Sequence, residues 1–299
     1  MNWDDAKYFL AIARSGQMLG AANRLNVSQA KLSRRITSLE ESLGSKLFER
    51  TTRGCELTGD GAAFLEVAQR IENEFLQAQS LVRQSETTLA GTVRIGTTDG
   101  FGVIFLSPRL HLLQERFPDL NIQLVPAPRS FSLSQREADI AVMIGRPVKG
   151  RLRTRKLTDY SLGIYAARSY LKKAGTPEKL ADLLQHRLVG YVEDLVFTPE
   201  LNYAADFLPG WKSSIEISSA LGQLQAVCSG AGIGVLHEFM AHPHSKDLVR
   251  LFPEQSIQRS YWTVWHESMK NTKKVAVVAE FLDQLVRQEN HLFLPGSAG

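Results

Sequence analysis

The spacing of apolar residues after Ser28 constrains the fold of this chain more than any other feature. Four apolar residues follow one another at steps of four, three and four, which predicts a helix from about Gln29 to Leu43 with one buried stripe. The stripe consists of Leu32, Ile36, Leu39 and Leu43. Ser28 can cap the start of this helix, and Gly44 can end it. The segment therefore predicts a short helix with one apolar face and one polar face.

A second predicted helix, from Met18 to Leu25, precedes it, and the tight turn Asn26-Val27-Ser28 joins the two. A helix that follows such a turn and exposes a polar, basic side is suited to reading the major groove of DNA. Glutamine can form paired hydrogen bonds with adenine, arginine and lysine can do so with guanine, and hydroxyl groups can hold phosphates. The predicted DNA-binding residues on this helix are Ser28, Gln29, Lys31, Ser33, Arg34 and Thr37.

Residues 47–57 predict a small hairpin that turns at Arg53-Gly54 and forms a wing beside the helix. Arg53 is the predicted DNA contact of this wing, at the phosphates or in the minor groove. The whole chain has a net charge of +4, which permits nucleic-acid binding without establishing it. Between Arg24 and Arg53, seven basic residues stand against three acidic ones. This local excess favours a surface that meets the DNA backbone.

A long helix is predicted after Thr58, which can cap it, and its apolar residues alternate at steps of four and three. Such a seam, held for about three heptads, is typical of a helix that pairs with a second helix. The predicted dimerisation residues are Phe64, Ala68, Ile71, Phe75, Ala78 and Val82. The alternative is that the seam packs against its own domain, but the polar residues on the other faces favour pairing. Leu89-Ala90-Gly91 then indicates a linker.

From Thr92 onward the pattern changes to alternating strands and helices, which predicts an α/β domain with a largely parallel sheet. The predicted strands include residues 92–96, 121–125, 138–144, 162–166, 188–192, 232–236 and 261–265. The predicted helices are residues 103–117, 219–229 and 273–288. Residues 292–299 are predicted to form a loose tail.

No apolar run approaches the roughly 20 residues that a membrane-spanning helix needs. Acidic residues at positions 4 and 5 argue against a secretory signal. We therefore expect a cytoplasmic protein with no membrane partner. Cys55 and Cys228 are far apart and lack metal-ligand spacing, so we expect two reduced thiols.

No set of residues forms a convincing nucleophile and base. The run from His237 to His242 is similar to a zinc-protease signature, but three residues separate Glu238 from His242 where the signature has two. Neither a Gly-x-Ser-x-Gly elbow nor a P-loop occurs in the sequence. We expect no catalytic residues, no metal and no cofactor.

The N-terminal residues resemble those of the LysR-type transcriptional regulators. The motif is Ala21-Ala22, Leu25-Asn26-Val27-Ser28-Gln29, Leu32-Ser33-Arg34-Arg35-Ile36, Leu39-Glu40, Leu43-Gly44, Leu47-Phe48-Glu49-Arg50, Leu57-Thr58 and Gly61, and it runs without gaps over about forty residues. A weaker resemblance continues to about residue 290, through Val93-Arg94-Ile95-Gly96, Phe117-Pro118, Ala138-Asp139-Ile140-Ala141 and Gly230-Ala231-Gly232-Ile233-Gly234. One departure is Ala30, where the family commonly has proline. Alanine forms helix well, so the departure does not affect the predicted fold. It affects the base preference expected at this position, where Lys31 adds a charged donor.

The resemblance implies an all-α winged helix-turn-helix domain at residues 1–57, a dimerisation linker helix at 58–90 and an effector-binding domain at 91–299. The last domain would be similar to periplasmic binding proteins, with two α/β subdomains at about 91–164 plus 267–291 and about 165–266. The resemblance further implies a homodimer or a homotetramer built as a dimer of dimers. Such a protein binds an interrupted palindrome in double-stranded promoter DNA, responds to a small organic effector between its subdomains and, in many members, contacts RNA polymerase.

Ligands of open α/β sheets bind beyond the carboxyl ends of strands, and hydroxyl, arginine and aromatic side chains follow the predicted strands here. The predicted effector-binding residues are Thr97, Thr98, Arg129, Ser130, Phe131, Arg146, Phe197 and Ser219. Arg129 and Arg146 beside hydroxyls and Phe131 predict an effector with an anionic group and an apolar body. The alternative for each arginine is a solvated loop residue, and Asp99 can either support its loop or contact the ligand.

Two other functions stay open at this point. A solute-binding protein would have a similar sensing half, but it would need an export signal and no basic pair of helices. An enzyme with an unrelated helical appendage is the other alternative. A gel shift on DNA with varied salt separates both from a regulator, because specific DNA binding survives competitor DNA and weakens steeply as salt rises.

Overall fold

The computed structural model describes residues 3–51, 54–83, 89–127, 133, 137–147, 150–196 and 198–294. Contacts divide the chain into two compact units, Met1–Thr87 and Thr88–Gly299. Among the described residues, no helix has both the length and the apolar character needed to cross a membrane.

The first unit combines helices with a two-stranded hairpin. The helices are α1 (Trp3–Ser15), α2 (Met18–Leu25), α3 (Gln29–Leu43) and α4 (Gly59–Arg83), and the strands are β1 (Phe48–Thr51) and β2 (Gly54–Leu57). The strands are antiparallel and pair from Phe48 with Leu57 to Thr51 with Gly54. The predicted helices at 18–25 and 29–43 and the predicted hairpin are confirmed.

The core of the first unit gathers around Phe9 of α1. The Phe9 ring lies 5.0 Å from that of Phe48 and 4.9 Å from that of Phe64, centroid to centroid. The α3 residues that face this core are Leu32, Ile36 and Leu39, each at most 2% exposed. Leu43 is 40% exposed, so its prediction as the fourth buried residue of the stripe is wrong. It lies in the last turn, directly before Gly44 (φ 68°), where the chain leaves the helix.

The second unit is built on a nine-stranded mixed sheet. Its strands are β3 (Gly91–Thr97), β4 (Leu120–Pro126), β5 (Ile140–Ile144), β6 (Leu152–Ala167), β7 (Leu188–Gly190), β8 (Ser213–Glu216), β9 (Ile233–His237), β10 (Leu248–Leu251) and β11 (Ile257–His266). Its α-helices are α5 (Leu110–Arg116), α6 (Arg168–Ala174), α7 (Tyr203–Phe207), α8 (Ala220–Cys228), α9 (Glu238–Ala241), α10 (Lys273–Gln288) and α11 (Asn290–Phe293).

The strands are ordered β4-β3-β5-β11-β6-β9-β7-β8, and β10 also pairs with β6. β3 is parallel to both β4 and β5, and β7 is parallel to both β8 and β9. We call these two parallel sets the first half and the second half. The long strands β6 and β11 join the halves and run antiparallel to each other. The prediction of a largely parallel sheet is therefore wrong at its centre, where β11 also pairs antiparallel with β5 and β6 with β9.

Several elements differ from their predictions. The helix predicted at 103–117 begins earlier and is divided into a π-helix (Gly100–Leu106), a 3-10 turn (Ser107–Arg109) and α5. The strand predicted at 162–166 is only the end of β6, whose exposed Arg153, Arg155 and Lys156 hide the strand pattern. The short strands β8 and β10 were not predicted.

The C-terminal tail is ordered further than the sequence suggested. Asn290–Phe293 forms α11, and the Phe293 side chain is completely buried. Its ring lies 4.7 Å from Phe105 and 6.1 Å from Phe101, centroid to centroid. The prediction of a loose tail is thus wrong for residues 292–293, while residues 295–299 lie outside the described part of the chain.

Candidate DNA-reading helix and effector cavities

The turn between α2 and α3 is formed by local contacts. Asn26 adopts a left-handed conformation (φ 53°) at the end of α2. Ser28 is extended, and its Oγ accepts a hydrogen bond of 3.2 Å from the backbone N–H of Lys31. This contact satisfies one of the free N–H groups at the start of α3, so the predicted cap is confirmed.

The side of α3 away from the core meets solvent. Ser28, Gln29, Lys31 and Arg34 are exposed, while Ser33 and Thr37 are half-buried. Leu32, in contrast, is completely buried on the opposite side. The helix therefore presents an amide, an ammonium and a guanidinium group outward, which are the groups that read base edges and phosphates. That these six residues bind DNA stays a prediction.

The start of the wing is held by a side chain of the same helix, α3. Glu40 of α3 is 7% exposed, and its Oε1 accepts from the backbone N–H groups of Leu47 (2.9 Å) and Phe48 (3.3 Å). Its Oε2 accepts from Lys46 Nζ at 2.7 Å. Burial raises the pKa of Glu40, but the hydrogen bonds from Lys46, Leu47 and Phe48 outweigh it and hold the pKa below its ordinary value. Glu40 therefore ties α3 to β1 as a carboxylate.

The start of α4 holds the same segment from the other side. Thr58 Oγ1 donates to Lys46 O at 2.6 Å and accepts from Gly61 N at 2.9 Å. Gly61 lies so close to Leu47 that a Cβ on it would be 2.1 Å from the Leu47 carbonyl oxygen. The segment 46–48 is thus held between α3 and α4. Arg53, the predicted wing contact, lies outside the described residues.

The predicted seam on α4 divides into two parts. Ala68 is completely buried in the core of its own unit, and half-buried Phe64 packs on Phe9. For Ala68 the prediction of a dimer contact is wrong, because the core of the first unit covers it completely, while for half-buried Phe64 it stays a prediction. Ile71 and Phe75 are 40% and 46% exposed, and they stay candidates for pairing. The side chains of Ala78 and Val82 lie outside the described part of the chain.

In the second unit, a cavity of about 10 Å³ lies where the two halves meet. We call it the junction cavity. Its lining comes from both halves: Thr98, Asp99, Gly100, Ile144, Tyr191, Leu201, Ala220 and His237. Asp99 Oδ2 accepts from Ser219 Oγ at 2.5 Å and from Leu221 N at 3.2 Å. This volume is sufficient for about one water molecule, and the Asp99 hydrogen bonds join the two halves at this cavity.

A buried aromatic cluster lies beside the junction cavity. The Tyr160 ring stacks on Tyr261 at 4.2 Å and on His237 at 5.0 Å, centroid to centroid. Its hydroxyl lies 3.4 Å from that of Tyr203. Burial lowers the pKa of His237 to about 4, although the nearby Asp99 charge raises it, so the imidazole is neutral at neutral pH. Burial also raises the pKa of Tyr203 well above its ordinary value. The cluster is uncharged.

The described effector candidates occupy different places. Thr98 lines the junction cavity, and its hydroxyl contacts that of Tyr261. Thr97 is completely buried and lines neither cavity, while Ser219 caps α8 and bonds to Asp99. Arg146 is exposed, with its guanidinium carbon 5.6 Å from the Trp262 ring centre, and it also lines neither cavity. Lying outside the described residues are Arg129, Ser130, Phe131 and Phe197.

A larger cavity, of about 680 Å³, lies in the second half. We call it the second-half cavity. Its lining comes from β7, β8, β9, α8 and the segment between β7 and β8, and it shares Tyr191 and Leu201 with the junction cavity. Cavities of roughly 300–1,000 Å³ are the size that holds small organic ligands. The size of this cavity suits an effector, whereas that of the junction cavity does not.

Tyr191 and Trp211 were not among the predicted effector-binding residues, and two roles were open for Asp99. Tyr191 directly follows β7, so the strand-end rule that selected Thr98 after β3 could have found it. Trp211 follows an irregular segment and carries no sequence signal of this kind. Asp99 supports its loop through Ser219, and it also lines the junction cavity.

The His237–His242 run does not bring its side chains together as ligands. His237 lies in the aromatic cluster, Glu238 pairs with Arg250 at 2.6 Å, and His242 is exposed. Within the described residues, no group of three or more His, Cys, Asp or Glu side chains could hold a metal ion.

Comparison with known proteins gives two family matches. Residues 3–62 match the bacterial regulatory helix-turn-helix proteins of the lysR family, and residues 86–287 match the LysR substrate binding domain. The chain is 28% identical over 287 residues to the HTH-type transcriptional regulator CrgA of Neisseria meningitidis serogroup C, covering 94% of this chain and 96% of that protein. It is 28% identical over 288 residues to the HTH-type transcriptional activator TtdR of Escherichia coli K12, covering 93% and 91%.

Solved structures show the same fold. The structure of CrgA from Neisseria meningitidis has 26% identity and a TM-score of 0.58, and the match covers 96% of this chain and 99% of that one. A full-length OxyR variant from Pseudomonas aeruginosa has 22% identity and a TM-score of 0.71, and the match covers 94% of each chain. Both matches extend over the first and the second unit.

Proposed function

Because this chain belongs to the LysR family of transcriptional regulators, we propose that it binds an interrupted palindromic site in promoter DNA and that a small organic effector changes this binding. It acts as a homodimer or as a dimer of dimers, with α3 of each copy in the major groove. Contact with RNA polymerase is part of the same proposal. The effector binds in the second unit, at or beside the junction of its two halves.

The observation that carries the DNA-binding proposal is the orientation of α3. Its apolar residues enter the core, while Gln29, Lys31 and Arg34 are exposed on a helix capped by Ser28. A side chain on such a helix can reach base edges without any loss of core packing. A solute-binding protein or an enzyme has no need for this arrangement.

The DNA-binding proposal is tested by a gel shift of the full chain on the DNA upstream of its own gene. We expect a retained band in the presence of excess random DNA, and its affinity should fall steeply as salt rises. Equal affinity for the upstream region and for random DNA would contradict a specific regulator. Adding purified RNA polymerase to the retained complex tests the polymerase contact, which predicts a further shift of the band.

The dimer proposal rests on Ile71 and Phe75, the described seam residues that are exposed. Replacing both with aspartate should yield monomers, because charges would then lie in the apolar seam. Ala63→Asp is the control, since Ala63 is exposed on another face of α4. Light scattering on dilution measures the result, and a double variant that stays dimeric would place the interface elsewhere.

The effector proposal is limited to a small organic molecule. The sequence predicted an anionic group from Arg129 and Arg146, but the first lies outside the described residues and the second is exposed over Trp262. The described lining of the two cavities therefore does not support that charge. Thermal-shift screening of small organic molecules tests for an effector, because a ligand of the native state raises the melting temperature.

A further inference from the structure

The second-half cavity combines two kinds of lining that together point to one class of ligand. Aromatic rings and carboxylates line the same space of about 680 Å³. The sensing role of this unit belongs to the proposed function, and the inference below rests on it. What it adds is the chemical class of the ligand and the residues that select it.

The aromatic part of the lining consists of Tyr191, Tyr203 and Trp211. The Tyr191 and Tyr203 rings lie 6.1 Å apart, centroid to centroid, at an interplanar angle of 71°. Aromatic ring faces carry partial negative charge and attract organic cations, and tryptophan and tyrosine do so more strongly than phenylalanine. Three such rings around one cavity favour a positively charged ligand with an apolar body.

The charged part of the lining consists of Glu193, Glu216 and Lys212, so carboxylates outnumber ammonium groups by two to one. All three residues are exposed, and among the described residues none of them takes part in an ion pair. A cation in the cavity would meet these carboxylates without displacing a protein partner. An anion would have only Lys212 as its charged contact.

The indole N–H of Trp211 does not belong to the lining. Trp211 is 6% exposed, and its Nε1 is buried away from the cavity surface, without an acceptor among the described residues. Trp211 therefore offers its ring and not its N–H group to a ligand. The described lining favours a positive charge and an apolar body.

We propose that the second-half cavity binds a small organic ammonium compound with an apolar body. The aromatic rings and Glu193 and Glu216 hold the cation. Tyr191 and Leu201 line both cavities, so an occupant of the larger one contacts two side chains that also line the junction cavity.

The test compares three probes that share one phenol-bearing body and differ in charge. These are tyramine, 4-(2-hydroxyethyl)phenol and 3-(4-hydroxyphenyl)propionate, which carry an ammonium, a hydroxyl and a carboxylate group. Calorimetric titration of the full chain at neutral pH should show the ammonium compound binding at least about tenfold more tightly than the carboxylate. Its affinity should fall as salt rises, because the carboxylates are exposed.

Two variants assign the binding to this cavity. Combined Glu193→Gln and Glu216→Gln should weaken tyramine binding roughly tenfold and leave the neutral probe unchanged. Glu254→Gln is the matched control, because Glu254 is an exposed glutamate of the same unit that does not line the cavity. Trp211→Phe replaces the indole by a smaller ring and removes apolar contact, so it should weaken all three phenols to a similar extent.

Several results would overturn the proposal. These are tighter binding of the carboxylate, equal binding of all three probes, no binding of any of them at about 10 mM, or a double variant that binds tyramine as the control does. The gel shift on promoter DNA is run on the same preparations. Promoter binding without tyramine binding overturns the ligand class alone, whereas loss of promoter specificity in the unaltered chain overturns the proposed function.

Discussion

The DNA-reading unit and the sensing unit differ in how far along the chain their decisive contacts reach. In the first, Ser28 bonds to a residue three positions away, and Glu40 to residues seven and eight positions away. In the second, the Asp99–Ser219 bond spans 120 residues and the Tyr160–Tyr203 contact spans 43. The recognition helix is therefore specified by neighbouring residues, while the cavities exist only after distant strands have come together.

This comparison predicts the largest effect for a residue that joins the two halves of the sensing unit. Tyr261 is completely buried between Tyr160 and Phe101, with ring centroids at 4.2 and 5.0 Å. Tyr261→Ala should lower the free energy of unfolding of the second unit by about 3–5 kcal/mol, since it leaves a large cavity. Hydrogen exchange resolved along the chain should show lost protection from residue 89 onward and unchanged protection in α1–α3.

Tyr261→Phe is the matched control for this change. The buried Tyr261 hydroxyl makes no hydrogen bond of good geometry among the described residues and contacts only the Thr98 hydroxyl, so its removal should cost about 1 kcal/mol. If Tyr261→Ala instead reduced protection equally in α1–α3, the two units would unfold together. The difference between local contacts in the first unit and distant contacts in the second would then not explain the stability of the two units.

The same contrast explains how much the sequence could predict. The spacing of Leu32, Ile36 and Leu39 and the cap at Ser28 predicted α3 with its bounds and its polar side. The strand-end rule selected Thr98 after β3, which lines the junction cavity, and its contact with an effector stays a prediction. The rule could not rank Arg146 against Trp211, because which loops meet over a cavity depends on the order of the strands. That order includes the antiparallel pairing of β6 and β11. The first half of β6 was not predicted, because its own basic residues concealed the strand pattern.

The seam on α4 shows the same limit within the first unit. The steps of four and three continue unbroken from Phe64 to Phe75, yet Phe64 and Ala68 face the core of their own unit. The heptad pattern identifies an apolar stripe but not what covers it. Phe9 covers the Phe64 ring, and that contact spans more than fifty residues of the chain.

Glu40 provides the second prediction, because it is the local contact that joins the recognition helix to the wing. Glu40→Ala should destabilise the first unit by about 2–3 kcal/mol, since two buried N–H groups lose their acceptor. The folded pKa of Glu40 lies below its ordinary value of 4.5. Its stabilising contribution is therefore complete above that value and is lost as pH falls through the lower, folded pKa. Denaturant unfolding between neutral and acidic pH measures this loss.

Glu40→Gln separates the acceptor from the charge. Glutamine can still accept from Leu47 and Phe48 but does not titrate, so this variant should lose the pH dependence and keep more stability than Glu40→Ala. A variant with alanine at position 40 that retained the full acid dependence would show that another carboxyl group causes it. Equal stability of Glu40→Ala and Glu40→Gln would show that the hydrogen bonds from the Leu47 and Phe48 N–H groups do not cause the stabilisation.

Arg34→Ala is expected to act on binding without an effect on folding. Arg34 is exposed and lies off the buried stripe, so its loss should leave the melting temperature unchanged. Specific affinity should fall by about 1–3 kcal/mol, the value of one good base contact. A gel shift on promoter and random DNA measures both affinities. An equal loss on the two DNAs would assign Arg34 to phosphates, and no loss on either would remove it from the binding surface.

The smallest expected effects come from two serine caps, one in each unit, and they test the comparison most directly. Ser28 accepts from Lys31 N, so Ser28→Ala should cost about 1 kcal/mol. Ser219 also caps a helix, but it donates to buried Asp99 as well, so Ser219→Ala should cost up to about 2 kcal/mol. Threonine at either position retains the cap oxygen and should restore most of the loss. Denaturant unfolding measures both, and equal costs would mean that the distant bond to Asp99 adds nothing to the cap.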